Sequence, residues 1–208
     1  MESKKIIRFW NFVAPLYSWF MRSNSALFDE GCRHIAPHLE HDHILLELAC
    51  GTGQYTSRLQ SHVSHWIATD LSDAMIAKTQ VNCPYDNVEF LVADATQLSS
   101  WSAEFDVVLI GNALHIMPDP QRALEEIWRV LKPGGLLIAP TFIYDNQPSR
   151  LRMWVLSLIG FRTPHKWHSS ELSHFIASKG FEVIENSVVL SKPLSQSIPI
   201  ARKSPVRG

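Results

Sequence analysis

The chain has 208 residues, of which 46% are hydrophobic and 19% charged, with a formal net charge of −1. That is the length of one domain with a full core, and its charge is too balanced for a nucleic-acid binder working through a broad basic face. The three cysteines, Cys32, Cys50 and Cys83, are too few and too scattered for a disulfide framework or a C-x-x-C zinc site, which fits a reducing, cytoplasmic setting. No apolar run approaches the ~18 residues of a transmembrane segment, and the N-terminus lacks the pattern of a secretory signal.

The spacing predicts a single domain over 1–208 that opens with a helical segment over 1–40, rich in aromatics (Phe9, Trp10, Phe12, Tyr17, Trp19, Phe20 and Phe28). From residue 43 to 143, apolar runs of strand length alternate with helix-period segments, the pattern of a parallel sheet covered on both faces. Strands are expected over 43–49, 65–70, 88–94, 105–111 and 136–143. Gly51-Thr52-Gly53 leads into a helix reaching about His62, and Ser72 caps a helix carrying Met75 and Ile76. Asp119-Pro120 starts a helix in which Ala123, Leu124, Ile127, Val130 and Leu131 share a face. Residues 144–168 read as an insertion with one short apolar helix, and 169–203 as a closing helix capped by Ser169 followed by a strand hairpin, 181–189 and 197–203.

The chemistry-bearing pattern begins at Glu47-Leu48-Ala49-Cys50-Gly51-Thr52-Gly53. Glycines directly after a buried strand let a ligand approach backbone that a Cβ would block, and open sheets of this kind bind ligands at the carboxyl ends of their strands. Asp70 ends the second strand, where an acid can accept hydrogen bonds from both ribose hydroxyls of a nucleoside. Asp94 ends the third, within reach of an adenine amino group, and Asn112 and His115 follow the fourth. Each feature is common by itself; their coincidence at four successive strand ends is not. A dinucleotide site requires a third glycine where Thr56 stands, and no Gly-Lys-Ser/Thr marks a P-loop.

Taken in order, ELACGTG, ATDLS, VADA, GNALHIM and ALEEIWRVLKPGGLLI closely resemble the class I S-adenosylmethionine-dependent methyltransferases, in the branch similar to ubiquinone and menaquinone C-methyltransferases. The resemblance spans roughly residues 43–190. It implies an α/β, Rossmann-like, doubly wound sheet of seven mostly parallel strands, helices on both faces and an antiparallel last strand. It also implies S-adenosylmethionine as cofactor and S-adenosylhomocysteine as product. Glu47 and the backbone of Ala49, Cys50, Gly51, Thr52 and Gly53 would hold the methionine part, and Asp70 the ribose. Leu71 and Met75 would line the adenine, Asp94 and Ala95 would read its edge, and Asn112 would lie near the sulfonium. Ala49 stands where the pattern usually has its first glycine.

Methyl transfer from a sulfonium is an in-line displacement that asks the protein mainly for alignment and exclusion of water. His115 is the candidate proton acceptor by position, or else a pocket-wall residue. His165 and His168 form a loop His-x-x-His, too thin a pattern to assign a metal site. The 144–168 insertion and the N-terminal segment are expected to form the lid of a small-molecule acceptor, with Tyr17 touching the cofactor. Residues 4–22 either pack over the cleft or meet a membrane surface peripherally. The expected activity is methyl transfer to a small, apolar or aromatic acceptor. The alternatives are an oxygen, nitrogen or sulfur acceptor, or cofactor binding without transfer. Oligomeric state and acceptor identity have no motif.

Overall fold

A computed structural model describes residues 24–145, 164–191 and 195–204. The expectations about residues 4–22, Tyr17 and most of the insertion therefore lie outside the described residues. Eight strands form one sheet: β1 (Ile44–Leu48), β2 (His65–Asp70), β3 (Val88–Val92), β4 (Phe105–Ile110), β5 (Leu131–Ile138), β6 (Thr141–Ile143), β7 (Phe181–Val189) and β8 (Ser195–Lys203). The order is β3-β2-β1-β4-β5-β8-β6, with β7 on the other edge of β8. Strands β1 to β5 pair in parallel, and β8 runs antiparallel to β5, β6 and β7.

The apolar runs of β1 and β4 are continuous because both of their faces are covered, and alternate residues serve different cores. Leu46, Leu48, Val108 and Ile110 pack with helix α4 (Pro120–Val130) and α5 (Ser169–Ala177) on one side. Leu45, Trp66, Val107 and Leu109 pack on the other, with α1 (Ser25–Ile35), the single turn α2 (Thr56–Leu59) and α3 (Asp73–Asn82). Two helix starts follow the capping logic of the sequence. Ser72 Oγ accepts from Met75 N at 3.1 Å, and Asp119 Oδ1 accepts from Arg122 N at 2.9 Å, with Pro120 in the first turn.

Four expectations are corrected. The fifth strand is interrupted at Ala139-Pro140: β5 and β6 pair with successive parts of β8, giving eight strands for seven. Proline has no N–H for a ladder, and the Pro140 carbonyl instead accepts from Asn112 N. The helix after the glycine turn is only Thr56–Leu59, continued by a 3-10 turn over Gln60–His62. The cap of α5 is His168, not Ser169; the His168 N–H donates to Glu171 at 2.9 Å, while Ser169 N donates to Asp145. Strand β3 ends at Val92, so Asp94 lies just beyond it, bridged to Gln97.

Leu124 is fully buried on the apolar face of α4. Leu124→Ala is expected to lower unfolding free energy by ~2–5 kcal/mol through lost burial and a residual cavity, measured by urea denaturation.

Candidate functional site

The carboxyl ends of β1 and β2 are tied together by one side chain. Asp70 closes β2, and its two carboxylate oxygens accept from different loops: Gly51 N to Oδ2 and Ser72 N to Oδ1, each at 2.9 Å. The backbone between is contorted to allow this. Ala49, Gly51 and Gly53 all have left-handed φ, at 53°, 57° and 83°. A Cβ on Gly53 would meet Cys83 Sγ at 2.6 Å and Thr79 Cγ2 at 2.9 Å, so the turn lies flush on α3. Burial pushes the Asp70 carboxyl up to about 6, partly opposed by the backbone donors of Ser72, Gly51 and Leu71.

A cleft of about 260 Å³ opens beside Asp70. Of the residues singled out in the sequence, Ala49, Gly51, Asp70 and Leu71 line it, as do Met75, Asp94, Ala95 and Asn112. One of its acids is therefore backbone-held at the end of β2. A second, Asp94, accepts from Thr96 N at 2.9 Å and Thr96 Oγ1 at 2.6 Å. Asn112 adopts left-handed φ of 54°, a conformation asparagine tolerates better than most residues. Acids at the end of β2 and just past β3, with Leu71, Met75 and Ile116 supplying apolar walls, fit a nucleoside: hydroxyls and an amino group to the carboxylates, a flat base between side chains.

Other singled-out residues stand behind the lining. Cys50, Thr52 and Gly53 belong to the turn but not to the cleft wall. Glu47 is buried; its Oε2 accepts from Thr56 Oγ1 and from Trp66 Nε1, tying β1 to α2 and β2. Burial pushes its carboxyl up to about 8, against those two hydrogen bonds. His115 is fully buried in the 3-10 turn Leu114–Ile116, edge-on to Phe142 with ring centroids 5.6 Å apart. Burial, reinforced by neighbouring His165, lowers its pKa to about 3. His115 lies outside the cleft lining, and burial disfavours its protonated form. His165 stacks on Trp167 at 5.1 Å, and His168 pairs with Asp145 at 2.8 Å, so these rings are engaged separately.

The sequence reading missed Thr96, Ile116, Met117 and Asp119 as cleft-lining residues. Asp119 was legible only as a helix cap; the other three sit in short connections whose path no periodicity discloses.

With this geometry in hand, the comparisons converge. Residues 46–139 match the family model described as a methyltransferase domain. The chain shares the fold of solved structures described as S-adenosylmethionine-dependent methyltransferases. The chain is similar in sequence to proteins named demethylmenaquinone methyltransferases. The one from Leptospira interrogans is 37% identical over 62% of this chain and 56% of its own length. The chain thus spans about half the length of the curated relatives it matches. A Thermotoga maritima structure, described as a possible histamine N-methyltransferase, aligns with TM-score 0.75 at 18% identity, covering 95% of this chain and 99% of that one. The 4+2 cyclase SpnF aligns with TM-score 0.78 at 19% identity, covering 97% of each chain.

Two predictions concern the turn. Ala49→Gly relieves a left-handed alanine and is expected to raise stability by up to ~1 kcal/mol, read as a higher Tm. Glu47 has a folded-state pKa raised from 4.5 to about 8, so its contribution to stability is full below the unfolded value and is lost as pH rises through 8. Glu47→Gln imitates the protonated acid. Its Tm relative to the unaltered protein is expected to climb by roughly 5 °C or more between pH 5 and pH 8.5.

Proposed function

We propose that the protein is an S-adenosylmethionine-dependent methyltransferase acting on a small, apolar or aromatic acceptor, with carbon as the receiving atom. The observation that carries the reading is the Asp70 carboxylate, held by Gly51 N and Ser72 N at the mouth of a cleft formed at the carboxyl ends of parallel strands. The carbon acceptor is supported by relatives named demethylmenaquinone methyltransferases, and a quinone-like ring is the acceptor class assigned.

In this proposal Asp70 accepts the ribose hydroxyls, Leu71 and Met75 flank the adenine, and Asp94 with the Ala95 backbone reads the base edge. The turn from Ala49 to Gly53 offers backbone to the methionine part, and Asn112 stands at the sulfonium end. Glu47 serves this site from behind, by fixing Thr56 and Trp66. S-adenosylmethionine supplies, when bound, a methyl group on a sulfonium leaving group. The chain's own residues then orient the ligand and keep water out of the line of transfer. His115 is assigned a packing role against Phe142, behind the cleft lining. Among the described residues no helix is long and apolar enough to cross a membrane.

Calorimetric titration of S-adenosylmethionine and S-adenosylhomocysteine tests the cofactor assignment, with NADH as control. Binding of both sulfur ligands, weakened at least ~10-fold in Asp70→Ala, is expected from losing charge-assisted hydrogen bonds. Because the carboxylate is the accepting form, affinity should fall roughly tenfold per pH unit below about 6, and Asp70→Asn should remove that slope. Production of S-adenosylhomocysteine with a demethylated naphthoquinol supports transfer. Binding without turnover on any acceptor would leave a cofactor-binding protein, and binding of NADH alone would sink the proposal.

A further inference from the structure

Gln196 is fully buried in β8, outside the cleft lining, and no motif marks it. Its Nε2 donates to two acceptors at once: Asn112 Oδ1 at 2.8 Å and Tyr55 Oη at 2.9 Å. Both recipients stand on the β4 side of the cleft. Asn112 is part of its wall, and the Tyr55 ring lies so close under Gly111 that a Cβ there would come within 2.3 Å of it. The other amide atom of Gln196, Oε1, is buried without a hydrogen-bond partner among the described residues. It faces Gly31 on α1, where a Cβ would sit 3.1 Å away.

A buried acceptor without a partner is costly, so packing alone would favour methionine or leucine at this place. What the amide contributes is direction. An asparagine on a short left-handed turn can swing its carboxamide, presenting either oxygen or NH2 to the cleft. A donor fixed beneath it decides which.

We infer that Gln196 is a positioning residue of the cofactor cleft: by donating from Nε2 it commits the Asn112 oxygen inward, so that Asn112 offers its NH2 group to the sulfonium end. This rests on the cofactor assignment of the preceding subsection. A wall of N–H donors does not favour the positive sulfonium over the neutral thioether of the product. Gln196 therefore sets the relative affinity for S-adenosylmethionine and S-adenosylhomocysteine without touching either.

The test is calorimetric, on the full chain with the two ligands themselves. Gln196→Met keeps the volume, removes the donor and frees Asn112 to turn its oxygen toward the positive charge. The expected result is an affinity ratio shifted about 3–10-fold toward S-adenosylmethionine, the size of one ordinary polar contact, here the carboxamide oxygen dipole turned to the sulfonium charge. Gly31→Ala approaches from the other side. It raises the helix propensity of α1 while crowding Oε1, and so displaces the amide in a chain that keeps its helix. The same direction of shift is expected there, and it also covers failure of Gln196→Met to fold. A purely structural Gln196 would weaken both ligands in parallel. An unchanged ratio in the folded variants overturns the inference while leaving the cofactor assignment intact, provided Asp70→Ala still weakens binding of both ligands. Failure of the unaltered protein to bind either ligand overturns both.

Discussion

One carboxylate organises the ligand side of this fold. Asp70 is the last residue of β2, yet its oxygens are spent on the backbone of two different loops, the glycine turn after β1 and the start of α3. A carboxylate with two backbone donors is oriented before any ligand arrives. Its burial raises the cost of keeping it ionised, which leaves it eager for further donors. The rest of the region supports that arrangement. Thr79 Oγ1 donates to Gly51 O at 2.7 Å, Asn82 Nδ2 donates to Thr52 O at 3.0 Å, and Thr69 Oγ1 donates to Glu47 O at 2.8 Å. The first two bonds hold the turn against α3 and the third ties β1 to β2, so the glycine turn is a supported backbone ledge.

Much of this was legible in the sequence because buried parallel strands leave near-continuous apolar runs, and because acids and glycines at successive strand ends stand out against them. Eight of the singled-out positions, from Ala49 to Asn112, line one cleft. What could not be read depends on contacts far apart in the chain. The inward role of Glu47 needs Trp66 and Thr56 beside it. The burial of His115 needs Phe142 and the segment around His165. Gln196 lies in SIPIARK's lead-in, with no periodicity or spacing to connect it to Asn112, 84 residues earlier. The resemblance had a glycine where Ala49 stands, and the left-handed φ there gives the physical reason for that pattern.

Likeness of fold separates two questions that are easily merged. A chain named for cyclisation shares this architecture as closely as a chain named for methyl transfer. Architecture alone therefore does not fix what is done with a bound ligand. In this protein the cleft lining beyond the glycine turn comes largely from the turn after β4, Gly111 to Asp119, backed by β8 through Gln196.

The position of β8 carries a consequence for how the molecule is made. It is the last strand of the sheet in chain order, yet it lies in the sheet interior, flanked by β5 and β6 on one edge and β7 on the other. While the chain is being synthesised, β1 to β5 can pair in order, but β5 and β7 keep open edges until residues 195–203 emerge. Closing them needs contacts of long sequence separation, which form slowly and leave unpaired strand edges exposed meanwhile. The glycine-turn side is thus able to assemble early on the ribosome, whereas the Asn112 wall is completed only when β8 slides between its neighbours.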